Sequence, residues 1–251
     1  MSNDRNYGRN QLGQDRYTNN PYASGGATAF DPERAMSTRA NFLINTYMHL
    51  FGAMAAFTLI EVFFFKSGMA LPMAKAMLGT SWLLVLGAFM VVGWMARRFA
   101  YRSSNMAMQY LGLAGVVVAY AVIFVPMLVL AEMQVGGGII QSAAMVTLTG
   151  FAGLTGVAWW SRTDFSFLGG LLKWGGVLAL VAIVGGVLFG FNLGTWFSVA
   201  MIGLAGAAIL YDTSKILREF PEDRYVAASL ELFASVALMF WYVLRLFMNR
   251  R

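Results

Sequence analysis

From about residue 42 to its end, the chain alternates long apolar stretches with short polar links. Seven stretches are long enough to cross a bilayer: about 42–65, 80–96, 106–131, 138–160, 168–190, 194–211 and 226–248. A helix needs roughly 20 predominantly apolar residues for this, and the sixth stretch is short. The runs are continuously apolar, without the two-residue alternation of a membrane barrel, and an open sheet leaves its edges unpaired in lipid. The predicted fold is all-α, with seven transmembrane helices. Segment 66–79, with Lys66, Pro72 and Lys75, is too brief to span and reads as interfacial.

Residues 1–40 differ from the remainder, 41–251. They are rich in Asn, Arg, Gly, Ser and Tyr, carry no apolar run and lack the h-region of a signal peptide. They read as a disordered polar tail, with Tyr7, Tyr17, Tyr22 and Phe30 as aromatic points on which a partner could dock.

Composition agrees with the pattern. The chain is 59% hydrophobic and 12% charged, against about 45–50% and about 25% in soluble domains. Its net charge of +6 would suggest nucleic acid in a soluble chain, but here the basic residues flank the spans. No nucleic-acid partner is expected. With the N-terminus inside, the inner segments hold twelve basic residues: Arg5, Arg9, Arg16, Arg34, Arg39, Arg97, Arg98, Arg102, Arg162, Lys215, Arg218 and Arg224. The outer segments hold four: Lys66, Lys75, Arg250 and Arg251. The positive-inside rule therefore predicts a cytoplasmic N-terminus. The basic C-terminal end opposes that orientation unless the seventh helix stops short of crossing. With no sorting signal visible, the expected location is a bacterial inner membrane.

There is no cysteine and a single histidine, His49, which excludes disulfides, thiolate chemistry and a His-rich metal centre. No nucleophile–base spacing, phosphate loop or zinc-binding pair occurs. Gly136-Gly137-Gly138 reads as a loop between spans. The chain is not expected to be an enzyme or to hold a cofactor.

Acids in or beside apolar spans draw attention, because a charge in hydrocarbon is costly and usually functional. Asp212 closes the sixth run and has two readings: a solvated helix-end acid held by Lys215 or Arg218, or a carboxylate turned into the bundle. Glu231 lies inside the seventh span and is read as facing inward, with Ser235 one turn on along the same face. Arg97 and Arg98 end the second span and read as interfacial anchors; the alternative is that one pairs with Asp212 or Glu231 and closes the cytoplasmic mouth. Glu61 has two readings, lining a cavity or sitting at the outer interface beside Lys66, and the interface is preferred. It lies twelve residues from His49, about 120° around a helix, so the two share no face. Lys173 is expected to snorkel and Arg245 to reach the far interface. Glycines such as Gly150, Gly153, Gly156, Gly203 and Gly206 are expected to let helices pack closely.

Three segments carry a resemblance: Phe42-Leu43-Ile44-Asn45-Thr46-Tyr47, Thr163-Asp164-Phe165-Ser166-Phe167-Leu168-Gly169-Gly170, and Leu210-Tyr211-Asp212-Thr213-Ser214-Lys215-Ile216 followed by the Ala228–Phe240 helix. In this order, on seven spans, they resemble the Bax inhibitor-1 family over about 40–248. The resemblance implies six helices around a central seventh. It also implies a pH-sensitive calcium leak, gated by two aspartates near the cytoplasmic side and an arginine on the second helix. Asp212 matches the first aspartate. The second is expected in Leu-Tyr-x-Asp, where this chain reads Leu232-Phe233-Ala234-Ser235, so Ser235 stands in the acid's place and Glu231, one turn earlier, is the acid present. The arginine aligns with Ala96, next to Arg97. By this resemblance Asp212, Glu231, Ser235, Arg97 and Arg98 would sense pH and gate, with Asp212 and Glu231 as weak calcium contacts and calcium as the permeant ion. The competing reading is a non-transporting adaptor in the bilayer, working with a membrane quality-control protease or a stress pathway of the cell-death type.

Overall fold

The computed structural model describes residues 32–249 except 103, 104, 137 and 162. The tail aromatics Tyr7, Tyr17, Tyr22 and Phe30 lie outside the described residues. Eight helices are present, and no strand occurs among the described residues: α1 Pro32–Lys66, α2 Ala70–Leu78, α3 Trp82–Arg102, α4 Met106–Gln134, α5 Ile139–Trp160, α6 Leu168–Phe189, α7 Gly194–Arg218 and α8 Tyr225–Met248. Seven, all but α2, are long and apolar enough to cross a membrane. Elementary rules set several ends. Pro32 occupies the first turn of α1, where its missing N–H costs nothing. Asn105 caps α4 by accepting the Ala107 N–H at 2.9 Å. Gly138 and Gly190, with φ of +84° and +74°, take the left-handed conformations that start α5 and end α6.

Two segments depart from the hydropathy pattern. The sixth span does not stop at Tyr211, because α7 runs on to Arg218. Polarity does not end a helix whose residues still pack: Thr213, Ser214 and Ile216 are buried, and the first residue unable to continue is Pro221. Segment 66–79 is more than an interfacial link. Ala70 and Ala74 of α2 are buried against Val125 and Val129 of α4.

Within the unit Ala40–Arg251, α8 is the most enclosed span, 83% buried over its apolar window. It packs against α3, α4, α5 and α7, and meets α1 through Phe57–Phe233 and His49–Tyr225, with ring centroids 6.2 and 5.0 Å apart. With 24 residues, it is about 36 Å long, ample for a full crossing. α6 lies at the periphery. Trp174 on it, Trp159 and Trp160 at the end of α5, Trp196 at the start of α7 and Trp94 on α3 are exposed, as lipid-facing aromatics are.

α3 and α4 approach closely through their backbones. A Cβ on Gly112 would lie 2.7 Å from the Ala96 carbonyl oxygen, so that crossing requires glycine. Gly150 and Gly206 also sit against side chains of neighbouring helices, Met239 and Leu154. Gly153, Gly156 and Gly203 face open space, so they do not serve the packing expected of them.

Candidate functional site

Three helices bring their polar residues together at one end of the bundle. α7 supplies Asp212, half-buried because the helix continues past it. α8 supplies Glu231 and Ser235, one turn apart on one face. The Ser235 hydroxyl donates to Asp212 Oδ2 at 2.6 Å. The position that resemblance assigns to a second acid is therefore in contact with Asp212, but as a neutral donor. A hydroxyl in this place supports the charged carboxylate, whereas a second carboxylate would repel it.

Glu231 turns toward α3. Its Oε2 lies 3.6 Å from Arg97 Nη2, and the Tyr101 hydroxyl lies within electrostatic range of it. Arg97 and Tyr101 are four residues apart, one above the other on α3. The Arg97 side chain is 53% exposed, so the pair resembles a surface ion pair of up to about 1 kcal/mol. Arg98 does not join. Its guanidinium lies 5.6 Å from the Trp94 ring centre, the anchoring role. Of the two arginines, only Arg97 takes the pairing reading.

Between these groups lies a cavity of about 120 Å³ lined by Tyr101, Tyr211, Asp212, Lys215, Ile216, Phe220 and Glu231. Both carboxylates thus face one small space. Lys215 lines it too, with its ammonium 5.8 Å from the Tyr211 and Phe220 ring centres. Phe220 is braced by stacking on Phe42 at 6.2 Å. The hydropathy pattern did not single out Tyr101, Tyr211 or Phe220. Tyr101 was findable from its four-residue spacing to Arg97.

The recognised segments meet around this cavity. The Phe165 N–H donates to Ser214 Oγ at 3.1 Å, tying the loop before α6 to the helix that carries Asp212. That loop is turned by Asp164, whose Oδ1 accepts the Ser166 N–H at 2.9 Å. The same bond holds the exposed Asp164 carboxyl below its ordinary pKa. Gly169 allows Tyr211 to approach, since a Cβ there would lie 3.1 Å from the Tyr211 ring. On α1, Tyr47 Oη accepts the Trp159 indole N–H at 3.3 Å.

Other polar residues lie elsewhere. His49 Nδ1 is 2.7 Å from the Asn45 carbonyl, which can only accept, so Nδ1 carries the hydrogen and Nε2 faces the Tyr110 hydroxyl at 2.8 Å. The Arg245 guanidinium lies 5.9 Å from the Phe197 ring centre, and Lys173 is exposed. Glu61 is not at the surface beside Lys66. It is 6% exposed and points into the bundle, because its place on α1 falls in the inward stripe with Ala53 and Phe57. Among the described residues no three His, Asp or Glu side chains gather as a metal cage.

A family model described as "Inhibitor of apoptosis-promoting Bax1" matches residues 39–251. An uncharacterized protein of Pseudomonas aeruginosa is 32% identical over 113 residues, 45% of this chain and 50% of its own. A "BI1-like protein" of Arabidopsis thaliana is 31% identical over 118 residues, 44% of this chain and 45% of its own. The chain therefore spans about half the length of the curated relatives it matches.

Proposed function

The chain belongs to the Bax inhibitor-1 family, and on that premise we propose that it is a pH-sensitive calcium leak whose cytoplasmic mouth is the Asp212–Glu231 cavity. The observation that carries the reading is the convergence of two carboxylates from neighbouring spans on one cavity of about 120 Å³, with Arg97 of a third helix against Glu231. Carboxylate oxygens are the ligands calcium prefers, and a high-affinity site uses six to eight oxygens. Two acids hold the ion weakly, as a conducting path requires. The Arg97–Glu231 pair joins α3 to α8, and the Asp212–Ser235 bond joins α7 to α8. Together they keep the mouth shut, and protonation of either acid weakens its link. The facing charged and titratable groups are Arg97 and Tyr101 from α3, Tyr211 and Lys215 from α7, and Tyr120 from α4, which lies within electrostatic range of Arg97 and Glu231. The protein is a passive path rather than an enzyme. Its N-terminus lies on the cytoplasmic side of a bacterial inner membrane, as the basic-residue count supports.

The adaptor reading is separated from this one by the tail. Purified protein lacking residues 1–31 is expected to carry calcium into dye-loaded liposomes as fast as the full chain. A truncated protein that keeps full flux but loses a cellular phenotype assigns that phenotype to a partner of the tail. Loss of flux on truncation contradicts a leak confined to the bundle.

A further inference from the structure

Glu61 takes no part in the Asp212 cavity. It is 6% exposed, and neither carboxyl oxygen has a hydrogen-bond partner. Val62, Phe63 and Phe65 face outward, so the carboxyl is turned into the bundle. Its surroundings are apolar on both sides along α1. One turn before it, Phe57 packs on Phe124 of α4 at 5.2 Å and on Phe233 of α8 at 6.2 Å. Three residues beyond it, Phe64 joins Ala70 and Ala74 of α2 and Val125 and Val129 of α4.

Charged and titratable groups of the neighbouring elements are turned elsewhere. Lys66, Lys75 of α2 and Glu132 of α4 are exposed. Arg245 of α8 lies over Phe197, and Tyr242 of α8 packs with Ala179 and Met201. Tyr120 of α4 is directed to Phe233 and to the Arg97–Glu231 neighbourhood.

The register of α1 against α8 places Glu61 relative to the cavity. His49 meets Tyr225 and Phe57 meets Phe233, so the helices run parallel and in step, and Glu61 is level with Ala237. That is six residues beyond Glu231, about 9 Å along the axis. The layer between them is aromatic: Phe57, Phe124, Phe233 and Tyr120. An ionised, unpartnered carboxylate at such a place is costly, and a charge there needs a companion.

We propose that Glu61 is a proton site, separate from the Asp212 cavity and cut off from it by this aromatic layer. The inference stands whether or not the protein leaks calcium. Dicyclohexylcarbodiimide, a hydrophobic reagent for protonated carboxyls in apolar surroundings, tests it on the full chain in liposomes, with the adduct located by peptide mass mapping. The expected result is an adduct on Glu61 that is absent from Glu61→Gln and falls several-fold from mildly acid to mildly alkaline pH. No adduct on Glu61 at any pH, with chelator present, overturns the proposal, and so does an adduct that pH does not change or that calcium removes at constant pH. Mapping reads the wild-type chain directly, so the test stands even if Glu61→Gln does not fold.

Discussion

Ser235→Asp is expected to make the stability of the protein fall steeply as pH rises, a dependence much weaker in the natural chain. The Ser235 hydroxyl donates to Asp212 Oδ2 at 2.6 Å. An aspartate there places a second carboxyl in the same contact. Under mildly acid conditions one proton lies between the two acids and replaces the hydroxyl's hydrogen bond. Under alkaline conditions that proton is lost, and two negative charges are forced together where water is scarce. At about 4 Å and an effective dielectric near 20, like charges repel by roughly 4 kcal/mol. The lost charge-assisted hydrogen bond adds about 1.5–3 kcal/mol, and relaxation recovers part of the sum. A stability swing of roughly 2–4 kcal/mol between the two pH values is expected. Thermal unfolding in detergent measures it. Equal melting temperatures of the variant at both pH values would contradict the contact.

Arg97→Ala is expected to raise calcium flux about two- to fivefold, since a half-exposed ion pair contributes up to about 1 kcal/mol and 1.4 kcal/mol is a factor of ten. Arg97 is the only described cation in an ion pair with Glu231, and it comes from a different helix. Removing it frees α3 from α8 at the mouth and leaves Glu231 open to the permeant ion. Arg98→Ala is the internal control. Arg98 sits over Trp94, so its loss should leave flux unchanged. Liposome flux at matched protein incorporation measures both. Equal effects of the two substitutions would remove Arg97 from the gate.

The reach of sequence reasoning here follows from which features are local. Length and hydropathy are local, and the seven spans were legible from them. The end of α7 was not, because hydropathy stops at Tyr211 while the helix is sustained by the burial of Thr213, Ser214 and Ile216. The carboxylates Asp212 and Glu231 stood out as acids in apolar runs. Their convergence depends on the register of α7 against α8, a long-range property that one sequence does not display. The Ser235 contact was legible only as a position matching a family motif. Glu61 was misplaced because Lys66 suggested an interface. The residues around Glu61 on α1 are apolar apart from Thr58, whose hydroxyl bonds back to the Met54 carbonyl on the exposed side, so only the packing of Phe57 on Phe124 and Phe233 shows which face is inside.

The most direct measurement is calcium flux into dye-loaded liposomes for wild type and Asp212→Asn, each at mildly acid and mildly alkaline pH. The account predicts wild-type flux above protein-free liposomes that changes with pH, and flux in Asp212→Asn that no longer does. Wild-type flux indistinguishable from protein-free liposomes at both pH values would contradict it.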